Sequence, residues 1–251
     1  MNTVKDILYS FDSITLEEMD SVKLLDRIDK KFTFRIEKLS AILEDVKNDY
    51  KVLDVNGIRI NSYKTLYFDT NDFKLYLQHH NGKLNRYKVR FRRYCDSGLN
   101  YFEVKFKNNK NRTIKERVKR SEMHSDIERK SEKLLIEKTP LLPNMLKPVI
   151  WVYYSRITLV SMLSKERLTI DIDLNFKNNE NEKSFPNLVI AEVKQAKSEK
   201  SPFISIMQKN RIFEGALSKY CFGISCLNNQ IKKNNFKIKF REINKLCYDN
   251  N

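Results

Sequence analysis

The chain is poor in the residues that many enzymes use to hold phosphate or metal. It has only five glycines among 251 residues. Neither GxxxxGK[ST] nor GxGxxG occurs, so a glycine-rich backbone cradle is excluded and a phosphate would have to be held by side chains. The four cysteines, Cys95, Cys221, Cys226 and Cys247, form no CxxC pair. His79, His80 and His124 lack metal-ligand spacing, which argues against a zinc site. Cys221 and Cys226 read as small apolar residues of a reduced compartment, and His79-His80 beside Asn81-Gly82-Lys83 reads as a turn. No apolar run approaches the roughly 20 residues of a membrane span. The N-terminus lacks a basic region followed by an apolar core, so the chain is expected to be cytoplasmic.

Positive charge is what the chain has in excess. Lys and Arg number 48 against 32 Asp and Glu, a net charge of +16. Such a surplus favours an anionic partner: nucleic acid, an anionic membrane, or a phosphorylated small molecule or polymer. The composition, 41% hydrophobic and 32% charged, fits one ordered domain over 1–251.

Apolar spacing predicts a helix over 4–19, a better-formed one over 36–50, and a shorter one after a Thr or Asn cap near Thr70-Asn71. Further helices are expected over 121–138 and, as one helix-like stretch, over 203–227. Strands are expected over 63–69, 87–95, 101–107, 112–119, 149–162, 167–176 and 188–197.

Because successive strand side chains point to opposite faces, each strand can be divided in two. Lys88, Arg90 and Arg92 oppose Val89, Phe91 and Arg93. Glu103, Lys105 and Lys107 oppose Phe102, Val104 and Phe106, and Lys115, Arg117 and Lys119 oppose Ile114, Glu116 and Val118. Arg167, Asp171 and Asp173 oppose Leu168, Ile170, Ile172 and Leu174. Glu192 and Lys194 oppose Val189, Ala191 and Val193, and Arg156 opposes Tyr153 and Ile157.

Apolar faces need cover, which amphipathic helices can supply from outside the sheet. The charged faces then look at each other. The expected fold is therefore α+β, an antiparallel β-barrel with a cation-lined lumen and helices on its exterior. Unpaired charge is not tolerated in a dry cavity, so the lumen must hold water and an anion; a run of phosphates suits Arg and Lys geometry. Glu103, Asp171, Asp173 and Glu192 lie among the cations. They could pair with them, or hold Mg²⁺ or Mn²⁺ together with substrate phosphate oxygens.

The segments DRIDKKF, YFDT, RYKVRFRRY, YFEVKFK, IKERV, YYSRITL, RLTIDIDLNF, AEVKQ and SKYCFG occur in an order that resembles the catalytic domain of the vacuolar transporter chaperone (VTC) family. These are polyphosphate polymerases of the triphosphate tunnel metalloenzyme superfamily. The resemblance implies a tunnel barrel with a core of about 22–227 and a basic C-terminal extension over 228–251. It implies phosphate contacts by Lys31, Arg90, Arg92, Lys105, Lys115, Arg156, Arg167 and Lys219, with Glu192 as the metal-binding glutamate. Lys88, Arg117 and Lys194 join the phosphate-binding candidates from their places in the cation rows. The chain departs from the eukaryotic members at Ala216, where they carry a further lysine.

The activity so implied is transfer of the terminal phosphoryl group of a nucleoside triphosphate, ATP foremost, to a polyphosphate chain. Such transfer is mostly positioning and charge neutralisation, so it needs no Ser, Cys or His nucleophile. Three alternatives remain. Hydrolases of the superfamily act on tripolyphosphate or nucleoside triphosphates, but they begin with Glu-x-Glu-x-Lys where this chain has Arg27-x-Asp29-x-Lys31. A nucleic-acid-binding sheet would use Tyr87, Phe91, Tyr94, Tyr101 and Phe102 for stacking, yet Phe91 and Phe102 fall opposite the cation rows and no RNP1-like run exists, so nucleic acid is not expected. A silent polyphosphate-binding module could dock on a membrane-protein partner through the basic tail, which otherwise reads as a solvated extension. Oligomeric state is left open.

Overall fold

The computed structural model describes residues 3–21, 28–110, 112–196 and 200–248. In chain order the elements are α1 (Val4–Tyr9), β1 (Ser13–Ile14), α2 (Leu16–Ser21), β2 (Ile28–Arg35), α3 (Leu39–Val46), β3 (Tyr50–Leu53), β4 (Asn61–Asp69) and α4 (Lys74–His80). Next come β5 (Arg86–Tyr94), β6 (Leu99–Lys107), β7 (Thr113–Arg120), α5 (Lys130–Lys138), β8 (Lys147–Ser161), β9 (Arg167–Lys177), β10 (Glu182–Phe185) and β11 (Leu188–Gln195). The chain ends with α6 (Pro202–Lys209), α7 (Lys219–Leu227) and α8 (Lys237–Tyr248).

The strands form one 11-stranded sheet whose main path runs β2-β11-β9-β8-β4-β5-β6-β7, with β1, β3 and β10 paired at its margins. Every pairing on that path is antiparallel. Among the described residues β2 and β7 do not pair, so the expected barrel is a curled sheet rather than one closed by hydrogen bonds. The curl is strong. Laid flat, Lys31 on β2 and Lys105 on β6 would stand about 30 Å apart, yet the Lys31 charge helps to depress the Lys105 pKa.

The convex face is apolar and covered. Phe32, Phe34, Ile157, Leu159, Leu168, Ile170, Val189, Ala191 and Val193 pack against Ile7 and Leu8 of α1, Leu39, Ile42, Leu43 and Val46 of α3, and Phe203 and Met207 of α6. A second convex cluster places Leu66, Phe68, Val89, Phe91, Phe102 and Val104 under Leu135 of α5 and Leu75 of α4. Phe91 and Phe102 are fully buried there, which removes them as base-stacking surfaces.

Not all the cover is external. Tyr220, Phe222, Ile224 and Leu227 of α7 pack with Ile150, Val152, Leu174 and Phe176 in a third cluster that also contains Tyr63, Tyr67 and Tyr154. These strand residues share the face of Arg156, so α7 fills one end of the concave side. Packing is tight: a Cβ on Gly223 would approach Phe176 Cδ1 to 2.5 Å and Ile150 Cδ1 to 2.6 Å.

A bulge makes this possible. The β8–β9 register shifts between Tyr153 and Ser155, and Asp173 adopts φ +53°. An extra residue reverses the alternation beyond it. Ile172 lies in the convex cluster, whereas Leu174 and Phe176 face inward. The expected grouping of Leu174 with Ile172 is thereby corrected. So is the placing of Asp173 among the lumen carboxylates, because it sits exposed in the bulge itself.

Several helix boundaries also differ. The expected helix over 4–19 starts at one capping box and divides at a second. Thr3 accepts from Asp6 N while Asp6 accepts from Thr3 N, and Thr15 and Glu18 repeat the exchange. Only the second half of 121–138 is helical, and 203–227 divides where Ser218 caps α7. The cap of α4 is more elaborate than a Thr or Asn: Thr70 Oγ1 accepts from Lys74 N, and the Asp69 carboxylate accepts from Leu75 N and Tyr76 N.

Over its described residues, 228–248, the C-terminal extension is not a solvated tail. It forms α8, whose Ile243 is fully buried and whose Phe240 lies 5.1 Å from the Phe222 ring. No described helix is long and apolar enough to cross a membrane. Ile243→Ala is expected to cost about 2–5 kcal/mol of unfolding free energy by urea titration. Ile238→Ala, at a position 73% exposed, is expected to stay within about 0.5 kcal/mol. Equal, negligible effects would return α8 to the status of a tail.

Candidate functional site

The concave face gathers basic side chains from both arms of the curl and from α7 around three carboxylates. Glu103 on β6 is 1% exposed and bridges its neighbours: Arg90 of β5 at 2.6 Å and Lys115 of β7 at 2.5 Å. Asp171 on β9 accepts from Arg156 Nε at 2.5 Å and Nη2 at 2.8 Å, and from Lys219 at the start of α7. Glu192 on β11 is bonded by Lys194 and faces Lys31 of β2 at 3.6 Å. Burial alone would raise the pKa of each acid; the adjoining cations more than offset it and hold all three below the usual carboxylate range.

The remaining cations make other contacts. Arg92, 8% exposed, donates to Thr65 Oγ1 at 3.4 Å. Lys88 donates to Ser218 Oγ at 2.9 Å, and Arg167 reaches the Met19 carbonyl at 3.4 Å. Arg117, exposed on the edge strand, lies 4.4 Å from the centre of the Tyr101 ring. Lys105 has no hydrogen bond or ion pair with the described residues. It stands between Lys88 and Lys115 in register, and burial, reinforced by Lys88, Arg90 and Lys31, lowers its pKa to about 7.

Tyrosines form a second layer that the strand alternation had not singled out. Tyr63 and Tyr154 stack at 5.1 Å, and the Arg156 guanidinium lies 5.1 Å from the first ring and 5.3 Å from the second. Tyr67 accepts from Arg90 Nη1 at 3.1 Å. Burial would raise its pKa, but Arg90, Arg92 and Lys88 together lower it. The Tyr154 hydroxyl is buried without a hydrogen-bond partner, beside Lys219 4.8 Å from its ring. Tyr63, Tyr67 and Tyr154 share the inward parity of Thr65 and Arg156, so the same period-two count could have found them.

The curl thus brings Lys31, Lys88, Arg90, Arg92, Lys105, Lys115, Arg156, Lys194 and Lys219 to one concave surface. Arg117 and Arg167 lie at its margins, and Asp173 lies outside it. Arg27 falls outside the described residues. Among the described residues no three His, Cys, Asp or Glu side chains converge as a metal site. The donor set therefore does not fit a metal caged by protein. A lone carboxylate such as Glu192, 22% exposed in its side chain, fits a hard divalent ion that brings most of its oxygen ligands with it.

The VTC domain family matches residues 26–228. The candidate adenylyl cyclase HpAC1 of Hippeastrum, described as revealing a dominant triphosphatase activity, is 11% identical. The alignment covers 81% of this chain and 98% of that one, with a TM-score of 0.50. A candidate adenylate cyclase of Vibrio parahaemolyticus is 14% identical over 80% of this chain and 99% of that one, with a TM-score of 0.49. The Hippeastrum likeness speaks for the fold alone, and nothing is drawn from the Vibrio one. A search of curated proteins finds no match.

The state of Lys105 gives the surface a pH dependence. Below about pH 7 its amine is already charged. Above that, an arriving polyanion raises its pKa and binding takes up a proton. Affinity for tripolyphosphate is expected to fall as pH rises above about 7, by up to roughly tenfold per unit, and Lys105→Arg is expected to flatten the slope. Calorimetric titration across a pH series checks this; an unchanged slope in Lys105→Arg assigns the proton to another group.

Proposed function

The chain belongs to the VTC domain family, and from that premise we propose that it is a polyphosphate polymerase. It transfers the terminal phosphoryl group of a nucleoside triphosphate, ATP foremost, to the end of a polyphosphate chain. One observation carries the reading: a curled sheet converges cations on a concave surface whose own three acids cannot neutralise them, leaving Lys105 without an ion pair and the Tyr154 hydroxyl without a hydrogen-bond partner among the described residues. A linear polyanion supplies both kinds of missing partner.

In this reading Arg90, Arg92, Lys105, Arg156 and Arg167 hold the transferring phosphoryl group and its flanking oxygens. Lys31, Lys88, Lys115, Arg117, Lys194 and Lys219 line the run of phosphates. The catalytic unit is the single domain. Fixed donors of this kind stabilise charge as it shifts from attacking to leaving oxygen without reorganising. Glu192 would hold Mg²⁺ or Mn²⁺ delivered with the substrate; such an ion neutralises phosphoryl oxygens and aligns them for displacement. Glu103 and Asp171 act as counter-ions that keep Arg90, Lys115, Arg156 and Lys219 in place. The cytoplasm, where nucleoside triphosphate is available, is the proposed site of action.

One feature favours a second reading. Leu174, Phe176 and Ile150 against α7 make one end of the concave face apolar, which shortens the stretch open to phosphate. That suits hydrolysis of tripolyphosphate or a nucleoside triphosphate, with water as acceptor.

Incubation with ATP and Mn²⁺, with and without a short polyphosphate primer, separates the two readings. The polymerase yields long polyphosphate with matching ADP; the hydrolase yields free phosphate without polymer. Arg90→Ala and Arg92→Ala are each expected to lower turnover at least about 100-fold with the circular-dichroism spectrum retained. A fully active double variant would defeat both readings.

A further inference from the structure

Asp69 has no exposed surface and makes no ion pair with a cation among the described residues, yet its carboxylate is heavily bonded. Oδ1 accepts from Thr70 N at 2.7 Å and Leu75 N at 2.8 Å; Oδ2 accepts from Tyr76 N at 2.9 Å and from the Tyr220 hydroxyl. Three of these bonds seat the start of α4. The fourth is different in kind, because it crosses to α7 and grips the residue directly after Lys219. Burial raises the pKa of Asp69 despite these donors, which is the cost of placing a carboxylate here.

The grip has a second point. Tyr76, held through its backbone by the same carboxylate, places its hydroxyl 2.7 Å from Ser225 Oγ, one and a half turns further along α7. Between the two points α7 has little freedom to rotate or slide. Its first residue is Lys219, whose amine bonds Asp171, and its cap Ser218 receives Lys88. Tyr220 also stacks on Tyr67 at 5.0 Å, and Tyr67 receives Arg90.

We propose that Asp69 is a positioning residue for the anion site, acting through the Tyr220 hydroxyl to hold Lys219 against Asp171. The bare alternative is that Asp69 only caps α4. The two separate at Tyr220→Phe, which keeps the ring on Tyr67 and leaves the three backbone bonds to Asp69 intact. The role of Lys219 as an anion-binding cation rests on the function proposed above, so the test includes a measurement that does not depend on it.

That measurement is acetylation of lysine amines in the ligand-free full chain, followed residue by residue by mass spectrometry. Lys194, pinned by Glu192 in the same concavity, is the internal reference. In Tyr220→Phe the Lys219 rate is expected to rise about tenfold relative to Lys194, the scale of one charge-assisted hydrogen bond. A general loosening would raise both, and an α4 cap alone would move neither; each result overturns the proposal. Calorimetry with tripolyphosphate gives the second arm. Tyr220→Phe is expected to weaken binding about three- to tenfold, with no further loss when added to Lys219→Ala. Additive losses would also overturn the proposal. Should the wild type fail to bind tripolyphosphate, the functional reading falls while the acetylation ratio still decides the role of Asp69. Asp69→Asn disturbs the cap as well and is expected to be less stable, so Tyr220→Phe is the deciding variant.

Discussion

Mutual repulsion among the concave cations is the constraint on which the rest of this structure depends. The charges stand close enough to disturb one another: burial pushes the Lys105 pKa down to about 7, and Lys88, Arg90 and Lys31 add to the fall. Three acids keep the array from flying apart, and each joins different elements. Glu103 ties β5 to β7 across β6, Asp171 ties β8 to α7, and Glu192 on β11 faces Lys31 on β2. Buried ion pairs of this sort are weak sources of net stability, because desolvation offsets most of the attraction. Their value lies in fixing where each cation stands.

The stability that tolerates such a surface comes from the opposite face. There the strands bury Val, Ile, Leu and Phe under α1, α3, α5 and α6, and that burial is the favourable term a charged interior cannot provide. The sheet is thus a partition with an apolar, helix-covered side and a polar, ligand-ready side. Helix α7 breaks the partition: its body belongs to an apolar cluster on the concave side, while its first residue reaches the acids. An element that serves both environments needs firm anchorage, which Asp69 supplies from the end of β4 and Tyr76 from α4.

Helix ends were readable where side chains hydrogen-bond locally. The Thr3–Asp6 and Thr15–Glu18 boxes are plain in the chain once the three-residue spacing is considered. Hydrophobic periodicity runs through the second box and suggests one helix, but the local hydrogen bonds at Thr15 and Glu18 start a new one. The bulge at Asp173 has no comparable mark. Asp accepts a left-handed backbone more readily than most residues, but nothing in RLTIDIDLNF says that it does so at 173 rather than at 171. The fate of Leu174 and Phe176 followed from that choice.

By itself the sequence determined the two-sided character of the strands, the excess of cations on one side, and the absence of any glycine-rich phosphate loop that could replace them. These are properties of composition and of a period of two, and they hold whatever the strands pair with. Tertiary structure alone decided which cations meet, that Lys105 makes no ion pair with the described residues, that α7 enters the concavity, and that the C-terminal basic segment packs as α8. Those outcomes depend on strand order, on one bulge and on long-range contacts such as Asp69 with Tyr220. None of them leaves a trace in local spacing.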